Sequence, residues 1–446
     1  MKRMAVIGLD CADPDLIEEF LPDLPALGEL IRSGTFSRLR SVDPPITVPA
    51  WMCMMTGKDP GELGVYGFRN RMDHSYEGLG VASSARFSAP AVWDVLGRRG
   101  LRSILLGIPG TYPPKPVRGL LVSGPLTPST DADYTYPASL KGKIARWVGD
   151  YMPDVRDFRT EDKAWLIKQV HSMTERRFAL ARKLISQGTW DFFAMVEMGP
   201  DRIHHGLWAH HDPAHPKHDP QSPFRDALRE YYRLLDEKLA ELLSDLPGGT
   251  QVLVVSDHGA QRMEGGIGIN EWLIEQGYLA LKEYPKKPTR MGELIRRNLV
   301  DWSRTVAWGE GGYYGRVFLN VQGREPQGIV PPERYEEVRA ELAEHLAVIP
   351  DEAGRPIGTR VFRPEELYRK VQGIPPDLIV YFGDLRWRSI GTVGWGRIHF
   401  HENDIGPDDA NHAPHGIFIA YPRLDERKER SILEVKDLVL SVMGDE

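Results

Sequence analysis

Asp257-His258-Gly259 closes the apolar run Gln251-Val-Leu-Val-Val-Ser256, which sets two adjacent metal-type ligands at the carboxyl end of a buried strand. In an open α/β sheet that end is where ligands bind. Two more strand ends look alike. Asp10 ends the run Met4-Ala-Val-Ile-Gly-Leu9, and Asp201 with His205 follows Phe192-Phe-Ala-Met-Val-Glu-Met198. The spacing of Asp201 and His205 puts both side chains on one face of a helix beginning there. A buried Asp-His step is costly without cations or hydrogen-bond partners, and three acids brought together repel one another. Carboxylate and neutral imidazole together suit Zn²⁺, Mn²⁺ or Fe, so the chemistry expected is hydrolysis at a site of two divalent metal ions.

A candidate nucleophile stands between Asp10 and Asp201, in Pro44-Pro-Ile-Thr47-Val-Pro49-Ala-Trp51. A Thr hydroxyl attacks phosphorus at neutral pH only when a metal or a base activates it. A helix starting near Pro49 would aim its free N–H groups and positive end at an anion beside Thr47. Near the C-terminus, Asn411-His412-Ala-Pro-His415-Gly416 offers two candidate ligands. His415, next to Gly416, is preferred to His412. Of the six histidines from His204 to His218, His205 is the expected ligand and the rest are read as surface residues of a Pro- and Asp-rich loop.

These residues need a frame. Short β-branched runs alternate with longer stretches of helical periodicity, the pattern of a doubly wound, mainly parallel sheet with helices on both faces. Strands are expected at Met4–Asp10, Ser103–Ile108, Phe192–Met198, Val252–Ser256, Leu378–Phe382 and Ile417–Tyr421. Helices are expected at Asp15–Gly34, Ala91–Arg99, Lys163–Gln187, Phe224–Ser244, Pro332–Val348 and Leu433–Met443. Leu166, Val170, Met173, Phe178 and Leu184 share the spacing of a core-facing stripe. Thr111–Asp157 reads as an irregular, Pro- and Tyr-rich stretch. The alternation also breaks between Lys282 and Lys370, which reads as an inserted cap or lid subdomain (282–370) in a catalytic core of residues 1–281 and 371–446. Its run Gly309–Gly315 is permissive enough to hinge, with Tyr313 and Tyr314 placed to stack on a leaving group and Arg316 to contact an anion.

The chain has 446 residues, 41% hydrophobic and 27% charged, with a formal charge of −7. Scattered Lys and Arg under a negative balance argue against duplex nucleic acid as a partner. No apolar run approaches the ~20 residues of a membrane span. Two cysteines, Cys11 and Cys53, make no disulfide framework, and Met1-Lys-Arg-Met-Ala-Val-Ile reads as a strand rather than a secretion signal; both favour the cytoplasm.

Asp10, Thr47 before Val-Pro-Ala-Trp, Asp201-x-x-x-His205, Asp257-His258-Gly and His415-Gly occur in the order seen in the alkaline phosphatase superfamily. The set resembles the type I phosphodiesterase / nucleotide pyrophosphatase branch, over about Met1–Asn70, Asp191–Gln276 and Asp377–Arg423. The resemblance implies one metal on Asp10, Thr47, Asp257 and His258, a second on Asp201, His205 and His415, zinc as the usual metal, and Asn70 as a contact to phosphoryl oxygens. It implies a phosphothreonine intermediate but no particular substrate; the substrate expected is a small-molecule phosphodiester, nucleotide-like or lipid-headgroup-like. The same core also resembles phosphoglycerate mutases and phosphoethanolamine transferases. A phosphotransferase or phosphomonoesterase is therefore the competing expectation, opposed by Thr rather than Ser at position 47 and by the lack of a membrane span. The chain departs from the animal nucleotide pyrophosphatases in lacking their secretion signal and Cys-rich modules, and 282–370 aligns with no counterpart there.

Overall fold

The computed structural model describes residues 3–425, 427 and 429–444. Met1, Lys2, Glu426, Lys428, Asp445 and Glu446, which fall within the expected 1–281 and 371–446 core, lie outside them. The chain divides into two units, Met1–Leu63 with Ala82–Ala260 and His412–Glu446, and Gly64–Val81 with Gln261–Asn411.

The first unit is built on a nine-stranded sheet. Its middle consists of five parallel strands side by side, Gln251–Val255, Met4–Leu9, Phe192–Glu197, Ser103–Leu106 and Gly119–Val122. The first four are buried along their whole length. Helices cover both faces of such a sheet, so its strands read as continuous apolar runs instead of alternating ones. The strand His415–Tyr421 pairs antiparallel with Gln251–Val255 and with Thr35–Arg40. The stretch expected to be irregular supplies two strands of the opposite edge, Gly119–Val122 and Thr135–Tyr136, and the helix Leu140–Val148. In the helix Lys163–Ile185 the expected core positions Leu166, Val170, Met173, Phe178 and Leu184 are all buried. The helix expected over Asp15–Gly34 is two, Pro14–Phe20 and Pro25–Ser33. Pro22 and Pro25 lack the amide hydrogen and crowd the preceding turn, so one helix cannot run through them.

The second unit differs from the expected 282–370 insertion in extent. It takes in Gly64–Val81 and everything from Gln261 to Asn411, because its strands pair with one another. Gly265–Gly268 lies between Trp387–Ile390 and His399–Phe400. Leu378–Tyr381, expected in the large sheet, pairs instead with Gly315–Leu319 and Arg360–Phe362. Its apolar residues are satisfied by a separate core that includes Trp272, Trp302, Trp308, Phe318, Leu378 and Phe382. A short Leu-Ile-Val-Tyr run carries no label for the sheet it will join.

The Gly-rich run forms the turn between antiparallel strands Ala307–Glu310 and Gly315–Leu319. The buried Tyr314 donates its hydroxyl hydrogen to the Tyr66 carbonyl at 2.7 Å, and Tyr313 lies 4.3 Å from the Arg388 guanidinium. The expected hinge is thus a paired hairpin, and Tyr314 is not free to stack on a ligand. Arg316 donates to the Arg69 carbonyl at 2.6 Å. Among the described residues no helix is long and apolar enough to cross a membrane, and Cys11 and Cys53 are free, buried thiols.

Candidate metal centre

Six buried side chains of the first unit form two groups that could each hold a cation. In each group, ligand atoms lie within 4.8 Å of one another: Asp10, Asp257 and His258 in one, Asp201, His205 and His412 in the other. The parallel strands deliver them. Met4–Leu9 and Gln251–Val255 are neighbours, and the residues just past their carboxyl ends, Asp10 and Asp257-His258, converge. Phe192–Glu197 flanks the first of these strands and is followed by the helix Gly199–His211, whose first turns carry Asp201 and His205 on one face. The rings of His258 and His412 stack with centroids 3.8 Å apart, joining the two groups.

Each of the three carboxylates has one oxygen tied to a donor and one left over. Trp51 Nε1 donates to Asp10 Oδ2 at 2.6 Å, the Cys11 amide to Asp257 Oδ1 at 3.3 Å, and Arg202 to Asp201 Oδ2. The remaining oxygens, Asp10 Oδ1, Asp257 Oδ2 and Asp201 Oδ1, are buried without a hydrogen-bond donor. What faces them is imidazole nitrogen. His258 Nε2 is 3.2 Å from Asp257 Oδ2 and 4.0 Å from Asp10 Oδ1; His205 Nε2 and His412 Nε2 are 3.3 and 3.5 Å from Asp201 Oδ1. His258 Nδ1 contacts the Gly259 carbonyl at 3.1 Å and His412 Nδ1 the Pro45 carbonyl at 2.6 Å. A carbonyl only accepts, so Nδ1 carries the proton in both rings, and their Nε2 lone pairs point at carboxylate lone pairs. A divalent cation between them turns that repulsion into coordination. The donor set therefore fits a cation at each group, with N and O ligands of the kind that take Zn²⁺, Mn²⁺ or Fe.

Burial sets the electrostatics. It pushes the carboxyls of Asp10 and Asp257 well above the usual carboxylate range, with the charges of Asp201 and Asp10 respectively adding to it. Burial also raises Asp201, but His205 and Arg202 outweigh it and hold this carboxyl well below the usual range. Desolvation depresses His258 and His412, keeping both neutral and ready to ligate.

Thr47 is the first residue of the helix Thr47–Thr56 and is buried. Its Oγ1 sits 3.3 Å from His258 Nε2. The helix starts two residues before the expected Pro49 and ends at Gly57, whose φ of 66° is the left-handed cap a glycine adopts without strain. Gly8 has a second special role: a Cβ there would stand 2.3 Å from the Trp51 ring, so only a glycine lets Trp51 reach Asp10.

The structure sets the two candidate histidines apart. His415 opens the strand His415–Tyr421 opposite Arg40, is half-buried, and has its Nε2 3.4 Å from Glu429; the residue beside Asp201 and His205 is His412. The strand's pairing with Thr35–Arg40 carries His415 to the Glu429 side. Asn70 belongs to the second unit. Its Oδ1 accepts from the amides of Tyr66 at 2.7 Å and Gly67 at 3.3 Å, and its Nδ2 donates to the Gly67 carbonyl at 2.9 Å, so its observed contacts close a turn. His204 contacts the Tyr232 hydroxyl at 3.1 Å and His210 the Ser222 hydroxyl at 2.7 Å. Sequence reasoning did not find Trp51 or Asp154, whose contacts with Asp10 and Arg202 span 41 and 48 residues, nor Arg202, which donates to its neighbour Asp201.

The fold and the paired ligand groups define a member of the alkaline phosphatase superfamily. A model of the type I phosphodiesterase / nucleotide pyrophosphatase family matches residues 4–414, and the chain belongs to that family. It is a metal-dependent phosphoric ester hydrolase of the phosphodiesterase/pyrophosphatase kind. Phosphonoacetate hydrolase from Sinorhizobium meliloti 1021 in complex with phosphonoformate is similar in structure, with a TM-score of 0.65 at 15% identity over 99% of this chain and 96% of that one. Murine ectonucleotide pyrophosphatase / phosphodiesterase 5 gives 0.54 at 14% identity, covering 99% and 95%. No curated protein matches the chain by sequence.

Proposed function

We propose that the protein hydrolyses a small-molecule phosphodiester through a phosphothreonine on Thr47, with two zinc ions as its resident metals. The observation that carries this reading is the placement of Thr47 Oγ1 3.3 Å from His258 Nε2, the nitrogen that itself faces the donor-less Asp257 Oδ2 at 3.2 Å. Asp10, Thr47, Asp257 and His258 would hold one cation and Asp201, His205 and His412 the other. Bound cations would lower the pKa of the Thr47 hydroxyl and offset the charge of the transferring phosphoryl group.

The chain's own groups do the rest. Thr47 Oγ attacks phosphorus, the ester oxygen opposite it leaves with a proton, and water then opens the phosphothreonine to restore the hydroxyl. The amides of Thr47 and Val48 precede the first intrahelical donor, Ala50, which bonds the Ile46 carbonyl at 2.8 Å. They lie at the positive end of the helix, suited to phosphoryl oxygens. Diester preference is supported by the apolar neighbours of Thr47, Ile46 and Val48, and by Arg202 being bound by Asp201 and Asp154. Monoesterases gain from a guanidinium that clamps the terminal phosphoryl group.

The test is acid quench of turnover on an activated aryl diester, followed by peptide mass spectrometry, with aryl monoester and phosphonoacetate as alternative substrates. Phosphate on Thr47 with the diester turned over fastest is the expected result. A Thr47 that stays unmodified during steady turnover, or a monoester or carbon–phosphorus substrate cleaved faster, overturns the corresponding part of the reading.

A further inference from the structure

The loop before the helix Lys163–Ile185 sends Asp154 toward the second ligand group. Asp154 Oδ1 accepts from Arg202 Nε at 2.8 Å and Oδ2 from Nη2 at 2.7 Å, a two-point grip on the guanidinium. The third guanidinium nitrogen, Nη1, donates to Asp201 Oδ2. The Phe158 ring packs against the same guanidinium, with a ring centre 4.3 Å from its carbon, and Phe158 also lies 5.7 Å from the His205 ring. The loop itself is tied down from within. The fully buried Arg177 donates to the carbonyls of Pro153 at 2.7 Å and Met152 at 3.3 Å. Two arginines thus do different work: Arg177 fixes the backbone that carries Asp154, and Asp154 fixes Arg202.

An arginine bonded to a metal ligand has two opposed effects. Its hydrogen bond orients the carboxylate and leaves a single oxygen, Asp201 Oδ1, free for a cation. Its positive charge also draws electron density from that carboxylate and repels the cation, an effect strengthened by burial. A second carboxylate gripping the guanidinium from its far side offsets the charge and keeps the orientation.

From this arrangement we infer that Asp154 is a positioning residue for the second cation: by holding Arg202 and offsetting its charge, it leaves Asp201 a one-oxygen ligand and limits how far the guanidinium weakens it. The inference rests on the two-metal reading above. Asp154 touches none of the ligand atoms, and its side chain is 23% exposed, so replacing it need not disturb the core.

The experiment is titration of metal-free full-length protein with Zn²⁺ against a chromophoric chelator, resolving two dissociation constants, for wild type, Asp154→Asn, Arg202→Gln and the double variant. Asp154→Asn is expected to weaken one of the two sites by roughly 10- to 100-fold, the range usual for partners of metal ligands, and to leave the other within about twofold. Adding Arg202→Gln to Asp154→Asn is expected to recover part of the loss, because the unmatched positive charge is gone. A residue with only a structural role would weaken both sites or neither and would show no recovery. Two wild-type sites with unchanged affinities in Asp154→Asn, or a double variant as weak as the single, overturns the inference. Fewer than two sites in the wild type overturns the two-metal reading, and this inference with it.

Discussion

His205 and His412, 207 residues apart, bring their Nε2 atoms to 3.3 Å of each other. Both nitrogens lie within 3.5 Å of the same oxygen, Asp201 Oδ1. Two imidazole nitrogens converging on one carboxylate oxygen make a donor set suited to a divalent cation. His412→Ala should therefore lower zinc affinity at one of two sites by roughly 100-fold or more, since even partners of ligands are worth 10- to 100-fold. His415→Ala should leave both sites near wild type. Chelator-competition titration measures both, and the opposite ranking would return His415 to the ligand set.

Thr47→Ala should keep its metals and lose turnover of an activated diester by roughly 10³-fold or more, as removal of a covalent nucleophile does. Thr47→Ser preserves the attacking oxygen and should retain a measurable fraction. Steady-state kinetics with metal analysis of each variant checks both. A fully metallated Thr47→Ala enzyme of near wild-type turnover would make water the attacking group.

Asp13 carries a pH dependence of its own. Burial pushes its carboxyl up from 3.8 to about 7, while its Oδ1 caps the helix Pro14–Phe20 by accepting from the amides of Asp15 and Leu16. A group with its folded pKa above the unfolded one contributes stability that is full below the unfolded value, about 3.8, and lost as pH rises through about 7. A rise of that size corresponds to about 4 kcal/mol. Metal-free wild-type protein should thus lose stability between pH 4 and pH 8 relative to Asp13→Asn, which keeps a capping oxygen and has no charge to bury. Urea unfolding at the two pH values measures the difference; parallel pH profiles would contradict it.

Asn70→Ala should cost about 1–3 kcal/mol of stability, because it strips partners from the buried amides of Tyr66 and Gly67. Zinc content should not change, as Asn70 is no part of either ligand group. Denaturant unfolding and metal analysis decide this together.

The three strand ends were legible in the sequence because a fully buried parallel strand must be a continuous apolar run, and a charged residue that closes one stands out. Asp10, Asp201, Asp257 and His258 were found that way, and His205 followed from helical spacing. The large sheet and its main helices were legible for the same periodic reasons. What the sequence left open depends on long-range pairing. Leu378–Tyr381 reads like a strand of the large sheet, and only its partners, Gly315–Leu319 and Arg360–Phe362, assign it to the second unit. His412 and His415 are chemically alike and three residues apart; the register of His415–Tyr421 on Thr35–Arg40 sends one to Glu429 and leaves the other beside Asp201. Side-chain period fixes which residues can share a face, but it is the pairing of distant strands that decides which faces meet.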